Sequence, residues 1–256
     1  MRSAMILACL LTLFFSSAVP QAAARYRASP DTLRYSSLNS YMMYFVRGAD
    51  TLGQPVTTRT LEFRRFEPSA SGLRVWVRLE GTGPNTFRSE ETYTINPVGR
   101  ILSVDGRPVA DVPNARVDLL PRFSSTDASL QSGRQWIDTV SVHGTESYGP
   151  TSYDVRRTYR VVRTIDTLGT QVALIAAQGE MRLRQGGWQD SAQALVWWQE
   201  VAGPAIDTVW FDTRAGRVLA SVAIMNLTGT GGVGPRGGGT AMPSGLRSSI
   251  RLTGQP

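Results

Sequence analysis

Two strings of four residues carry side chains that could do acid–base chemistry. They are Asp50-Thr51-Leu52-Gly53 and Asp166-Thr167-Leu168-Gly169, each inside the wider frame R-x-x-D-T-L-G-x-x-V, at 47–56 and 163–172. Two aspartates brought together share one proton and form an acid–base pair. That arrangement wants glycine directly after the hydroxyl residue, so that the backbone turns beside the carboxylate, and here Leu52 and Leu168 intervene. Asp-Thr also recurs at Asp31, Asp138, Asp207 and Asp212. A dipeptide this common is a turn-former before it is a catalyst: its carboxylate caps backbone N–H groups and the nearby glycine takes a left-handed conformation. Asp50, Gly53, Asp166 and Gly169 are accordingly expected to mark hairpin turns, with no catalytic residue among them.

The remaining catalytic routes are narrow. All 27 basic residues are arginine, which removes the phosphate-loop lysine and Schiff-base chemistry. The one cysteine, Cys9, falls in the N-terminal apolar stretch, and the one histidine is His143, so neither a thiolate site nor a two-histidine zinc motif can be built. No metal or cofactor is expected. His143 and Asp138 are five positions apart and point to opposite faces of one strand. Glu90 and Glu91 are adjacent and diverge in the same way, as do Asp207 and Asp212. A carboxylate-based glycoside hydrolase is the last enzymatic reading, and it needs two acids about 5–10 Å apart in one cleft. The candidates for ligand contact are the tryptophans Trp76, Trp197, Trp198 and Trp210, which on one concave sheet would suit an acyl chain or a sugar.

The chain that must position these residues alternates on a period of two. Leu73, Val75, Val77 and Leu79 share a face, Met181 and Leu183 share another, and Val218, Ala220, Val222 and Ile224 form a third set. This is the pattern of antiparallel strands with one buried face. It predicts an all-β meander of about 10–12 strands, as a curved sheet, half-barrel or barrel, with at most one or two short helices. One helix is expected over Pro113–Leu120. Gly99-Arg100 and Gly216-Arg217 each follow an Asp-Thr-Leu-Gly string by about fifty residues. That spacing suggests two duplicated halves, about 35–120 and 130–225. The glycine-rich stretch 229–245 reads as a flexible loop, with a last strand at 246–253.

Residues 1–24 read as a secretory signal peptide: Arg2, an apolar stretch from Met5 to Phe15, then small residues. The mature chain, 25–256, is expected to be one β domain in the periplasm or outside the cell, without disulfides or a transmembrane segment. The whole-chain charge of +7 suits an anionic partner such as an envelope glycan. The arginines form no run, which equally suits solvated strand faces, and export argues against nucleic acid.

The stretches Asp118–Phe123 (D-L-L-P-R-F), Ser132–Trp136 (S-G-R-Q-W) and Phe211–Val218 (F-D-T-R-A-G-R-V) give the chain a resemblance. It resembles uncharacterised secreted bacterial all-β families with an architecture similar to periplasmic lipoprotein carriers. The resemblance implies a curved antiparallel half-barrel, an apolar concave face, a short helical lid and an apolar or lipid-like ligand. Such carriers lack the glycine-rich insert, and no motif carries over a binding residue. The expected function is therefore non-enzymatic, holding a lipid-like or other apolar ligand in the curved sheet, with an envelope module that docks through an arginine-rich face as the alternative.

Overall fold

In the computed structural model the described residues are 26–82, 86–109, 120–124, 130–146, 149–167, 170–189, 194–234 and 240–255. They form thirteen strands and one antiparallel sheet. The first half supplies β1 (Leu33–Arg47), β2 (Asp50–Leu52), β3 (Val56–Ser69), β4 (Gly72–Thr82), β5 (Arg88–Ile95), β6 (Ile101–Val104) and β7 (Arg107–Pro108). The second supplies β8 (Gln135–Glu146), β9 (Gly149–Thr167), β10 (Thr170–Gln189), β11 (Ala194–Asp212), β12 (Arg217–Val233) and β13 (Met242–Gln255). The order is β7-β6-β5-β4-β3-β1-β13-β12-β11-β10-β9-β8, with β2 extending the pairing of β1. The outermost strands, β7 and β8, do not pair, so the sheet is a half-barrel and not a closed barrel. The chain starts in the middle of this sheet, builds one wing outward, crosses over, and builds the other wing back until β13 pairs with β1.

The alternation read from the sequence becomes an inner and an outer face. Leu73, Val75 and Val77 are buried, as are Met181 and Leu183, while Arg74, Arg182 and Arg184 are exposed. The third set does not hold together. Val218 pairs with Phe211 but Ala220 pairs with Trp210, so Leu219 is an extra residue. This β-bulge reverses the parity of everything after it. Val218 points inward, whereas Ala220, Val222 and Ile224 face out, Ile224 with 49% of its surface exposed. A period-two pattern on its own cannot register a one-residue bulge, which shows only in the pairing with the neighbouring strand.

The sheet has two ends. At the near end β1 begins, and Ser69/Gly72, Ile95/Ile101, Thr167/Thr170 and Asp212/Arg217 close hairpins. At the far end the closing pairs are Arg47/Asp50, Glu146/Gly149 and Gly231/Met242. The near end is filled by aromatic rings. Tyr26, from the segment before β1, lies 6.1 Å from Phe66, 5.7 Å from Phe123 and 5.4 Å from Phe211, centre to centre. Its hydroxyl donates to the Pro121 carbonyl, and its backbone N–H to that of Pro97. Phe123 lies 4.7 Å from Phe211 and 5.9 Å from Trp136, which stacks on Tyr159 at 5.1 Å. Phe123, Trp136 and Phe211 are the aromatic residues of the three resembling stretches. Those stretches serve to plug one end of the sheet.

The glycine-rich expectation is corrected. Gly229 to Val233 completes β12, and β13 already begins at Met242, so the residues of 229–245 that lie in no strand are at most 234–241, of which 235–239 lie outside the described residues. These glycines leave room for rings: a Cβ on Gly231 would come within 2.6 Å of Phe45, and one on Gly232 within 3.0 Å of Trp198. The signal segment 1–24 and the helix expected over Pro113–Leu120 lie outside the described residues except for Leu120, which is buried.

Candidate functional site

Asp50 and Asp166 do not meet. Asp50 opens the returning arm of a far-end hairpin, opposite Arg47, and the turn residues are Gly48 and Ala49. Gly53 is not in that turn. It sits at the break between β2 and β3, where a Cβ would fall 2.4 Å from the Met43 carbonyl. Asp166 instead ends an outgoing arm at the near end, opposite Gln171, and Gly169 lies outside the described residues. Three strands (β3, β4, β5) separate Asp50 from Gly99, but two longer ones (β10, β11) separate Asp166 from Gly216. Equal spacing in sequence therefore folds into unequal strand counts, so the two strings do not hold equivalent places in their halves. Only the later turns correspond. Gly99 and Gly216 both close near-end hairpins with left-handed φ of 87° and 66°, and Asn96 and Asp212 cap them by accepting backbone N–H groups.

The four tryptophans do not form a row on the inner face. Trp76 and Trp210 point outward on β4 and β11, and Trp198 points outward beside Trp197, which points inward. Trp197 and Trp198 pair with Gly187 and Gly186 on β10, and Trp197 lies so flat that a Cβ on Gly187 would fall 2.0 Å from its Nε1. Trp198 borders a far-end cleft of about 510 Å³ with His143, Pro150, Ser152, Arg184 and Glu200. Ser152 is the partner of His143 on the neighbouring strand, and among the described residues no hydrogen bond joins His143 to a serine. Ser141 donates to Asp154, and His143 Nε2 is 3.9 Å from the same carboxylate, on the face opposite Asp138.

Two other features stand out, neither singled out residue by residue in the sequence. The first is the outer face of β1, β3, β4, β5 and β13. It carries Arg34, Arg59, Arg65, Arg74, Arg78, Arg88, Arg247 and Arg251 against Glu67, Glu80 and Glu90, eight charges to three. The outer face of β8 to β12, apart from the hairpin-closing Asp212 and Arg217, carries Arg156, Arg160, Arg163, Arg182 and Arg184 against Asp154, Glu180 and Glu200, five to three. On the first of these faces the guanidinium groups stack on rings. Arg34 and Arg78 lie 5.9 Å and 4.3 Å from Phe63, and Arg65 and Arg78 lie 5.6 Å and 5.5 Å from Trp76. Arg88 binds Glu90 and holds its carboxyl below the usual range.

The second feature is a set of charges on the inner face. Arg64 Nε donates to Glu62 Oε1 at 2.7 Å with both side chains almost fully buried, and Arg157 Nε lies 2.9 Å from Asp207 Oδ2. Burial opposes the Arg64 charge, but Glu62 and Tyr35 beside it outweigh that and hold its pKa above the ordinary value. Burial pushes Asp138 up, against the pull of Arg122 at 3.7 Å. Both ion pairs border a cavity of about 190 Å³ that Leu120, Val209, Val218, Met225 and Leu252 line with apolar groups. Among the described residues the inner face is filled by its own rings at one end and holds ion pairs beside the cavity, and no open apolar trough of the kind the resemblance implies is seen there. Among the described residues no cluster of His, Cys, Asp or Glu could hold a metal ion, and no helix is long and apolar enough to cross a membrane.

Fold and faces together define an all-β protein built on one open antiparallel sheet. No family model matches the chain, and no curated protein does. Among solved structures it is similar to the hypothetical lipoprotein YmcC from Escherichia coli K12, at 12% identity and a TM-score of 0.31, over 90% of this chain and 89% of that one.

Proposed function

We propose that this protein is an exported, non-enzymatic module of the cell envelope that docks on an anionic glycan through the outer face of β1, β3, β4, β5 and β13. The observation that carries the reading is the eight-to-three excess of arginine over glutamate on that face, against five to three for arginine over acidic residues on the other wing. Neighbouring strands are about 4.8 Å apart, so these charges form a dense array on a fixed scaffold. Stacking on Phe63 and Trp76 holds several guanidinium planes in place before a partner arrives, which lowers the entropy lost on binding. Export follows from the signal-like residues 1–24. For a lipid-like ligand the interior cavity of about 190 Å³ is smaller than the roughly 300–1,000 Å³ of ordinary ligand pockets, and the far-end cleft of about 510 Å³ beside Trp198 is within that range but is also bordered by Arg184 and Glu200.

Binding of the purified protein to a sulfated or uronate-rich glycan, with neutral dextran as control, tests this. Retention is expected on the anionic polymer only, falling steeply with added salt. The triple reversal Arg59→Glu, Arg74→Glu, Arg251→Glu should abolish it, while Arg156→Glu, Arg160→Glu on the other wing should not. Binding that ignores salt, or that survives the triple reversal, overturns the reading.

A further inference from the structure

We propose that the 190 Å³ interior cavity binds a small monocarboxylate with a short apolar body, and that Arg64 is the residue that receives its carboxylate. The inference is independent of the glycan reading, which concerns the opposite face.

Arg64 is 3% exposed and uses Nε for Glu62. The Tyr35 ring lies 4.9 Å from its guanidinium carbon, against a face of the plane. Its Nη1 is buried and has no hydrogen-bond partner. A buried, charged donor left unsatisfied is costly, and the guanidinium edge is shaped for a carboxylate. Stability alone does not account for such an interior, because apolar residues of similar volume commonly do as well as a buried ion pair.

The surroundings select the ligand. Glu62 and Asp207 balance Arg64 and Arg157, so the lining is neutral. A dianion such as a phosphate monoester would add two uncompensated negative charges to this lining and a monocarboxylate only one, which the unused N–H groups of Arg64 Nη1 can meet. Val209, Val218, Met225 and Leu252 offer apolar walls for a short chain, and Ser37 and Ser221 border the same space. The volume excludes a full-length lipid acyl chain with its head group.

The test is thermal unfolding of the full chain with propionate, butyrate, hexanoate, butanol, methyl phosphate or palmitate. A saturable rise in Tm, about 5–10 °C at a hundredfold excess over Kd, is expected for one or more of the short carboxylates. None is expected for butanol, methyl phosphate or palmitate. The double variant Glu62→Met, Arg64→Met should unfold cooperatively and lose the response. If that variant does not fold, Ser221→Leu, which fills the cavity from the opposite wall, should lose the response with Arg64 intact. No saturable shift with any short carboxylate overturns the proposal. So does an equal shift with butanol, an unchanged response in the folded double variant or in Ser221→Leu, or a crystal structure in saturating butyrate with only water on Nη1.

Discussion

The guanidinium of Arg78 lies 4.3 Å from the centre of the Phe63 ring on β3 and 5.5 Å from that of Trp76 on its own strand. One cation therefore links two aromatic rings on the outer face, which Arg34 and Arg65 approach in turn. Arg78→Lys keeps the charge and loses the plane that stacks. It should lower stability by about 0.5–1 kcal/mol, read from urea unfolding. A loss no larger than that of Arg74→Lys, which stacks on no ring here, would show that the stacking contributes nothing.

A second prediction concerns the far end. A Cβ on Gly187 would fall 2.0 Å from Trp197 Nε1, so Gly187→Ala must displace the indole. The expected cost is about 1–3 kcal/mol. In a Trp197→Ala background the same change should be nearly neutral, and the double-mutant cycle measures the coupling. Additive effects would show that the ring does not rest on the glycine.

The buried pair on β3 gives a third. Glu62→Met leaves Arg64 charged and uncompensated, and should cost about 3–5 kcal/mol. Adding Arg64→Met should recover most of that. Equal losses in the single and double variants would mean that packing volume, and not charge, governs the site.

The fourth is a pH dependence. Burial pushes the Tyr159 phenol from 10.0 up to about 12, with Arg157 working in the opposite direction. The folded pKa is raised, so the stability tied to the neutral phenol is complete below pH 10 and is lost as pH rises through 12. Tyr26 and Tyr35 are raised by burial in the same sense. Tyr159→Phe should make alkaline unfolding less steep, by about 2–3 kcal/mol at the top of that window. Phenolate absorbance followed beside circular dichroism checks it. An identical alkaline limb in wild type and variant would rule out the contribution.

Much of the fold was legible because β structure writes itself locally. Alternation at Leu73 to Val77 and at Met181 to Leu183 marked buried faces correctly, since side-chain parity needs only neighbouring residues. Parity also separated His143 from Asp138, and Glu90 from Glu91, which binds the Tyr93 hydroxyl on the inner side. The departures have two causes. The bulge at Leu219 and the turns at Asp50 and Asp166 are set by the register of the adjacent hairpin partner, which alternation along one strand does not show. Gly229 to Val233, in contrast, become strand by pairing with Trp197 to Val201, well back in the sequence. The glycines looked like a linker because nothing local to them shows that Phe45 and Trp198 will lie across them.

The sequence by itself determined the class of fold and the absence of lysine and of a second histidine, because composition and period-two alternation need no partner. It did not determine what the arginines do. Spaced two apart and interrupted by turns, they form no run in the chain. Antiparallel pairing, with β13 closing onto β1, stacks them from five strands on one outer face. The same pairing sets Glu62 and Arg64 of β3 beside a cavity shared with Arg157 of β9 and Asp207 of β11. Which strands become neighbours is a non-local choice, and both candidate sites exist only after it is made.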